Sequence, residues 1–90
     1  MTIEFDHRKD AASVAKHGVS LVEGDGVLDD PLGLTVEDNS SKGEQRWLTI
    51  GTNVFGFVYV VVWTKRGRNE RIISMRKPDP KERRAYETKR

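Results

Sequence analysis

Apolar residues recur along this chain with two different periods, and the change between them divides it. Ile3-Glu4-Phe5 alternates, as a short strand does. Asp6 is a good N-cap for a helix: Ala11, Val14 and Ala15 fall on one helical face, and Gly18 supplies the stop. Lys16 and His17 then sit in the last turn of that helix, where cations suit the dipole. Ser20 with Glu23 three residues on reads as a capping box, opening a second helix that buries Leu21, Val22, Val27 and Leu28. Gly24 and Gly26 weaken it by about 1 kcal/mol each relative to alanine, and Asp29-Asp30-Pro31 ends it.

From Leu32 onward the period is two. Leu32, Leu34 and Val36 alternate with Gly33, Thr35 and Glu37, which predicts a one-sided strand, and residues 38–43 form a polar loop. Glu44 to Ile50 alternates again, with Arg46, Leu48 and Ile50 on one face, and Gly51-Thr52-Asn53 reads as a turn. Phe57 to Thr64 is apolar on both faces and rich in β-branched residues, the mark of a central strand, with Tyr59 and Trp63 as core aromatics on one face. Residues 65–69 form a basic hairpin loop. Arg71 to Met75 is the last strand, with Ile73 and Met75 on one face and Ile72 and Ser74 on the other. Asp79-Pro80 with Glu82 gives an N-cap, a first-turn proline and a capping box, so a short helix closes the chain with Arg83 and Tyr86 on one face. The order β-α-α-β-β-β-β-α predicts an α+β fold: a small antiparallel sheet, two N-terminal helices and a short C-terminal helix, in a single domain over residues 1–90.

Composition narrows the function classes. With 36% apolar and 33% charged residues among 90, there is material for one lean core. No stretch approaches the roughly 20 apolar residues of a membrane span, and the acidic start has no apolar h-region, so a cytoplasmic protein is expected. The absence of cysteine excludes disulfides, thiol catalysis and thiolate zinc sites. His7 and His17 stand ten apart without helical partners, and the aspartates read as caps, so no metal and no cofactor are expected. There is no Walker loop and no dinucleotide fingerprint.

Charge changes the picture more. Residues 1–64 carry −5 and residues 65–90 carry +7, so the net +2 conceals a strongly basic final quarter. That asymmetry suits an anionic partner, nucleic acid or an acidic protein, or a merely solvated basic face. Arg66, Arg68, Arg71, Arg76, Lys77, Arg83 and Arg84 converge if the last helix packs near the sheet end. Guanidinium forks suit phosphate oxygens. Joined by the Tyr86 hydroxyl and the Glu44 carboxylate, such a cluster has the parts to cleave RNA without metal, through attack by a ribose 2′-hydroxyl on the adjacent phosphorus. Two other classes stay open on the residues alone: a non-catalytic nucleic-acid-binding module, and a protein-interaction module with a basic C-terminal face.

Phe5-Asp6, Lys16-His17-Gly18-Val19-Ser20, Asp30-Pro31, Gly43-Glu44-Gln45-Arg46 and Gly51 occur in the order of the BrnT family of toxins. So do Val60-Val61-Val62-Trp63-Thr64-Lys65-Arg66-Gly67, Arg71-Ile72-Ile73-Ser74-Met75-Arg76-Lys77 and Glu82-Arg83-Arg84-Ala85-Tyr86. Over nearly its whole length the chain resembles that family, departing at Phe5, Ser13, Gly24, Asp25 and Met75 without losing a charged candidate. The resemblance implies a RelE-like fold and a toxin of a type II toxin–antitoxin system: an endoribonuclease that inhibits translation. It also implies a BrnA-like ribbon-helix-helix antitoxin, two copies of each protein per complex, and DNA contact only through that antitoxin.

The candidate catalytic residues are therefore Arg66, Arg76, Arg83, Tyr86, Glu44 and His17. The candidate RNA contacts are Lys16, Arg46, Lys65, Arg68, Arg71, Lys77 and Arg84. Each has a bland counterpart: Lys16 and His17 as helix-end cations, Glu44 as an edge charge beside Arg46, Arg83 and Tyr86 as residues that dock the last helix.

Overall fold

The alternating segments become strands β1 (Ile3–Phe5), β2 (Leu34–Asp38), β3 (Arg46–Thr52), β4 (Val58–Arg66) and β5 (Asn69–Arg76). The 3.6-period segments become helices α1 (His7–His17), α2 (Gly24–Leu28) and α3 (Pro80–Lys89), with a 3-10 turn over Leu21–Glu23 ahead of α2. The computed structural model describes residues 3–38 and 43–89; most of the loop expected over 38–43 lies outside them.

All five strands join one sheet in the order β1-β5-β4-β3-β2. β2 to β5 are antiparallel neighbours, but β1 lies parallel to β5, pairing Phe5 with Ile72. The sheet is thus mixed, which corrects the all-antiparallel expectation. Hairpins force antiparallel pairing only between strands they join, and β1 reaches β5 across most of the chain. β4 is the central strand expected, with Val60 and Val61 fully buried on its two faces.

Strict alternation along β4 sorts the core into two layers. On one face Tyr59, Val61 and Trp63 pack with Val19, Leu21, Val27, Ile72, Met75 and Phe5, beneath the N-terminal helices. On the other, Val58 and Val60 pack with Ile50, Leu34 and Leu48 against Tyr86 of α3. The close approach of α2 depends on Gly51, which pairs with Tyr59 on the first face. A Cβ at Gly51 would stand 2.9 Å from the Val27 carbonyl oxygen and 3.2 Å from Asp30 Cβ, both backbone-fixed. Gly51→Ala is expected to cost about 1–3 kcal/mol through this overpacking, read as a lowered midpoint in urea unfolding with an unchanged slope.

Several sequence expectations are redrawn. The second helix is split: Ser20 caps the 3-10 turn, accepting weakly from the Val22 amide at 3.4 Å, while Glu23 faces Asn53 instead of closing the box. Val22 is exposed. So is the apolar face of α1 that carries Ala11, Val14 and Ala15, with Val14 49% exposed; the helix is held by polar groups instead. Asp10 accepts from the Ser20 hydroxyl and the Leu21 amide at 2.7 Å each, and the buried Ser13 hydroxyl donates to the Val19 carbonyl at 2.8 Å. β3 runs on through Thr52, and the turn falls at residues 53–56. β4 and β5 continue to a tight hairpin in which Arg66 pairs with Asn69 and Gly67 takes φ 59, so Lys65 and Arg66 are strand residues, not loop residues. A register shift at Val62/Trp63 places Ile72 and Met75, three apart, in the same core layer, where plain alternation separates them.

Candidate functional site

The face of the sheet that receives α3 is only half covered. Tyr86 seats the helix over Ile50 and Val60, near the β3–β4 turn. Toward the other end, Val36 and Ser74 are exposed, and Leu48 and Val62 are half-buried. Beyond them the face turns basic. Arg71 lies opposite Thr64, and Thr64 stands beside Arg46, its hydroxyl donating to the Gln45 carbonyl at 2.6 Å. Arg46 pairs across strands with Asp38, and Arg71 with Glu4, whose carboxylate approaches the Arg71 guanidinium at 3.7 Å and also accepts from Asn69. Arg66 lies two residues beyond Thr64 on the same face, exposed and without a side-chain ion pair among the described residues. The Nε of Arg46 is buried with no hydrogen-bond partner among the described residues. Leaving such a donor unmet costs about 1–3 kcal/mol. Glu44 is exposed two residues ahead of Arg46.

The basic candidates do not converge into one cluster. Arg76 pairs with Val60, six residues along β4 from Arg66, a separation of about 20 Å at the rise of a strand. At that second end Arg76 is tied down. Its guanidinium makes two hydrogen bonds to Glu82, at 2.7 and 2.8 Å, and Glu82 also accepts from the Asp79 amide at 2.9 Å. Asp79 in turn accepts from the Glu82 amide at 2.7 Å, completing the expected capping box. The bonds from Arg76 hold the Glu82 carboxyl below its usual range against the opposing effect of burial, and the same bonds raise Arg76. Arg76 thus builds the start of α3.

Tyr86 is 1% exposed, and its hydroxyl donates to Asp30. The placement fits the docking role, and the candidate catalytic hydroxyl is committed to a buried bond. Asp30 also accepts from the Thr52 amide at 2.9 Å, the Thr52 hydroxyl at 3.1 Å and the Leu32 amide at 2.9 Å. Burial would raise this carboxyl, but the bonds from Tyr86, Thr52 and Leu32 outweigh it and hold it below the ordinary carboxylate value. One side chain thereby joins the end of α2, the end of β3 and the middle of α3. In the sequence Asp30 reads as a helix stop, and its neighbour Pro31 gives no sign of the longer reach.

The other candidates scatter. Arg83 is exposed on α3, with Nε 3.2 Å from Glu87, and Arg84 is exposed beside it. Lys77 is exposed after β5. Lys65 lies 6.0 Å above the Trp47 ring, which stacks on Trp63 with centroids 5.1 Å apart, so it belongs to the helix-covered face and not to the face of Arg66. Arg68 is exposed in the hairpin turn. Lys16, with Lys9, lines an open groove of about 310 Å³ between α1 and β5, floored by Ile73 and Met75. The His17 side chain lies outside the described residues. Among the described residues no three His, Cys, Asp or Glu side chains gather as a metal site, and no helix is long and apolar enough to cross a membrane.

A five-stranded mixed sheet with one half-open, arginine-edged face defines a small α+β domain. The sequence pattern described as "Ribonuclease toxin, BrnT, of type II toxin-antitoxin system" matches residues 5–82, and the chain belongs to that family. Its fold is similar to the crystal structure of the Brucella abortus ribonuclease toxin BrnT, with a TM-score of 0.65 at 23% identity over 88% of this chain and 97% of that one. No curated relative matches the chain.

Proposed function

We propose that this chain is a metal-independent endoribonuclease of RelE-like type that inhibits translation in the cytoplasm, and that the half-open face between the β4–β5 hairpin and α3 is where it acts. The observation that carries this is the row of Arg71, Thr64 and Arg46 with Arg66 beyond, on one open face, in a chain of a ribonuclease-toxin family. A ribose 2′-hydroxyl on that face attacks the adjacent phosphorus: a P–O2′ bond forms, the P–O5′ bond breaks to leave a 2′,3′-cyclic phosphate, and the departing 5′-oxygen takes a proton from solvent water. The arginine forks bind the non-bridging oxygens as charge accumulates there. Glu44, next to Arg46, is the candidate base for the 2′-hydroxyl proton. Neutralisation by a BrnA-like ribbon-helix-helix antitoxin, with two copies of each protein and DNA bound through the antitoxin, completes the reading.

The test is induction of the chain in bacteria, followed by cleavage assays on purified protein. Growth arrest with loss of cellular RNA, relieved by the antitoxin, is expected. Arg66→Ala should slow cleavage by about a hundredfold, the scale of removing one oxyanion donor, while leaving the melting temperature unchanged because Arg66 holds nothing in place. Arg76→Ala should lower the melting temperature as well, since it strips Glu82 of its partner. Well-folded protein that neither arrests growth nor cuts RNA would sink the ribonuclease reading.

A further inference from the structure

The turn between β3 and β4 is stiff, yet it displays large apolar side chains. Asn53, buried, accepts through its side-chain oxygen from the Phe55 and Phe57 amides at 3.0 Å each. Its backbone amide donates to the Phe57 carbonyl at 2.9 Å, and the Gly56 amide donates to the Asn53 carbonyl at 3.0 Å. Gly56 takes φ 86, which the turn requires. On this frame Phe55 is 74% exposed and Phe57 65%. Exposed single apolar residues need no explanation, but aromatics held out by an internally braced turn do.

Phe57 lines a pocket of about 290 Å³ at the α3 end of the sheet. Tyr59 and Pro78 contribute apolar surface, and Lys77 and Arg83 stand at it as cations; among the described residues no carboxylate lines it. Among the described residues Arg83 is paired with Glu87 alone, an exposed i,i+4 pair of the kind worth little in water, so its guanidinium is available. An aromatic face flanked by two cations suits a planar base with phosphates on either side. An acidic protein segment would meet the same cations, but the aromatic lining favours the nucleotide.

We propose that this pocket is a nucleotide subsite: an unpaired RNA base stacks on Phe57, and Lys77 and Arg83 hold the phosphates that flank it. The proposal rests on the ribonuclease reading and adds to it where the substrate strand runs, past α3 and away from the β4–β5 hairpin.

The probe is a short single strand with 2′-fluoro sugars, which lacks the attacking hydroxyl, and one 2-aminopurine base. Wild-type protein should bind it with a change in 2-aminopurine fluorescence. Phe57→Ala and Phe57→Leu should each weaken binding about tenfold and abolish the fluorescence change, and Phe57→Trp should restore both. Lys77→Gln with Arg83→Gln should flatten the salt dependence of binding by about two phosphate contacts. Melting temperatures check that each variant folds. If Phe57→Ala and Phe57→Leu bind the probe like wild type while RNA cleavage persists, the subsite is wrong and the ribonuclease reading stands. If the variants lose antitoxin binding instead of RNA binding, the turn is a protein-docking surface and the subsite is again wrong. If wild-type protein neither binds the probe nor cleaves RNA, both readings fall together.

Discussion

Tyr86→Ala is expected to destabilise the fold by about 3–5 kcal/mol, the range for truncating a fully buried aromatic. That is a large share of the stability of a domain this size. The ring fills the layer between α3 and Ile50 and Val60, and α3 has no other buried side chain among the described residues. Tyr86→Phe keeps the packing and removes only the hydroxyl from Asp30, so its cost should fall to about 1.5–3 kcal/mol, the range for a bond to a charged group. Urea unfolding across pH separates the two. The Asp30 carboxyl lies below its unfolded value, so what it contributes is present above about pH 4 and disappears as pH falls through the depressed folded value. Asp30→Asn should therefore lose stability at neutral pH and show a shallower acid limb. An acid limb of unchanged slope in Asp30→Asn would mean that the linkage lies elsewhere, Glu82 being the next candidate.

The second large effect lies on the substrate. Removing the 2′-hydroxyl at the nucleotide 5′ of the scissile bond should stop cleavage there entirely, because the attacking atom is gone. Binding should persist, since phosphate contacts supply most of the affinity and are untouched. Chelators should leave cleavage of the unmodified strand unchanged. Cleavage of an all-DNA strand, or loss of activity in chelator that magnesium restores, would instead indicate water activated by a bound cation.

Much of the fold was legible because its signals are local. Asp6, Gly18, Asp79 and Glu82 sit where the caps form, and the apolar run of β4 marks the strand buried on both sides. What escaped depends on distant partners. Three residues of alternation predict a strand but not its direction, so the parallel pairing of β1 was invisible. The register shift beside Trp63 lets Ile72 and Met75 share a layer, which alternation alone denies. On α1 the apolar residues share a face, but Asp10 and Ser13 make the anchoring bonds and leave Val14 outside. Of the candidate site, residue types were legible and their grouping was not. Arg46, Arg66 and Arg71 share an open face, whereas Arg76 and Tyr86 proved to be built into the mounting of α3.

The reach of β1 and of Asp30 also sets when this molecule can exist during its own synthesis. The first strand pairs with residues 70–72, and Asp30 meets the Tyr86 hydroxyl 56 residues later. Neither contact has its partner until residues 70–72 and Tyr86 have been made, and sheets closed by such distant pairings assemble late and slowly. The first strand and the close of the second helix are therefore the oldest parts of the chain and the last to be secured.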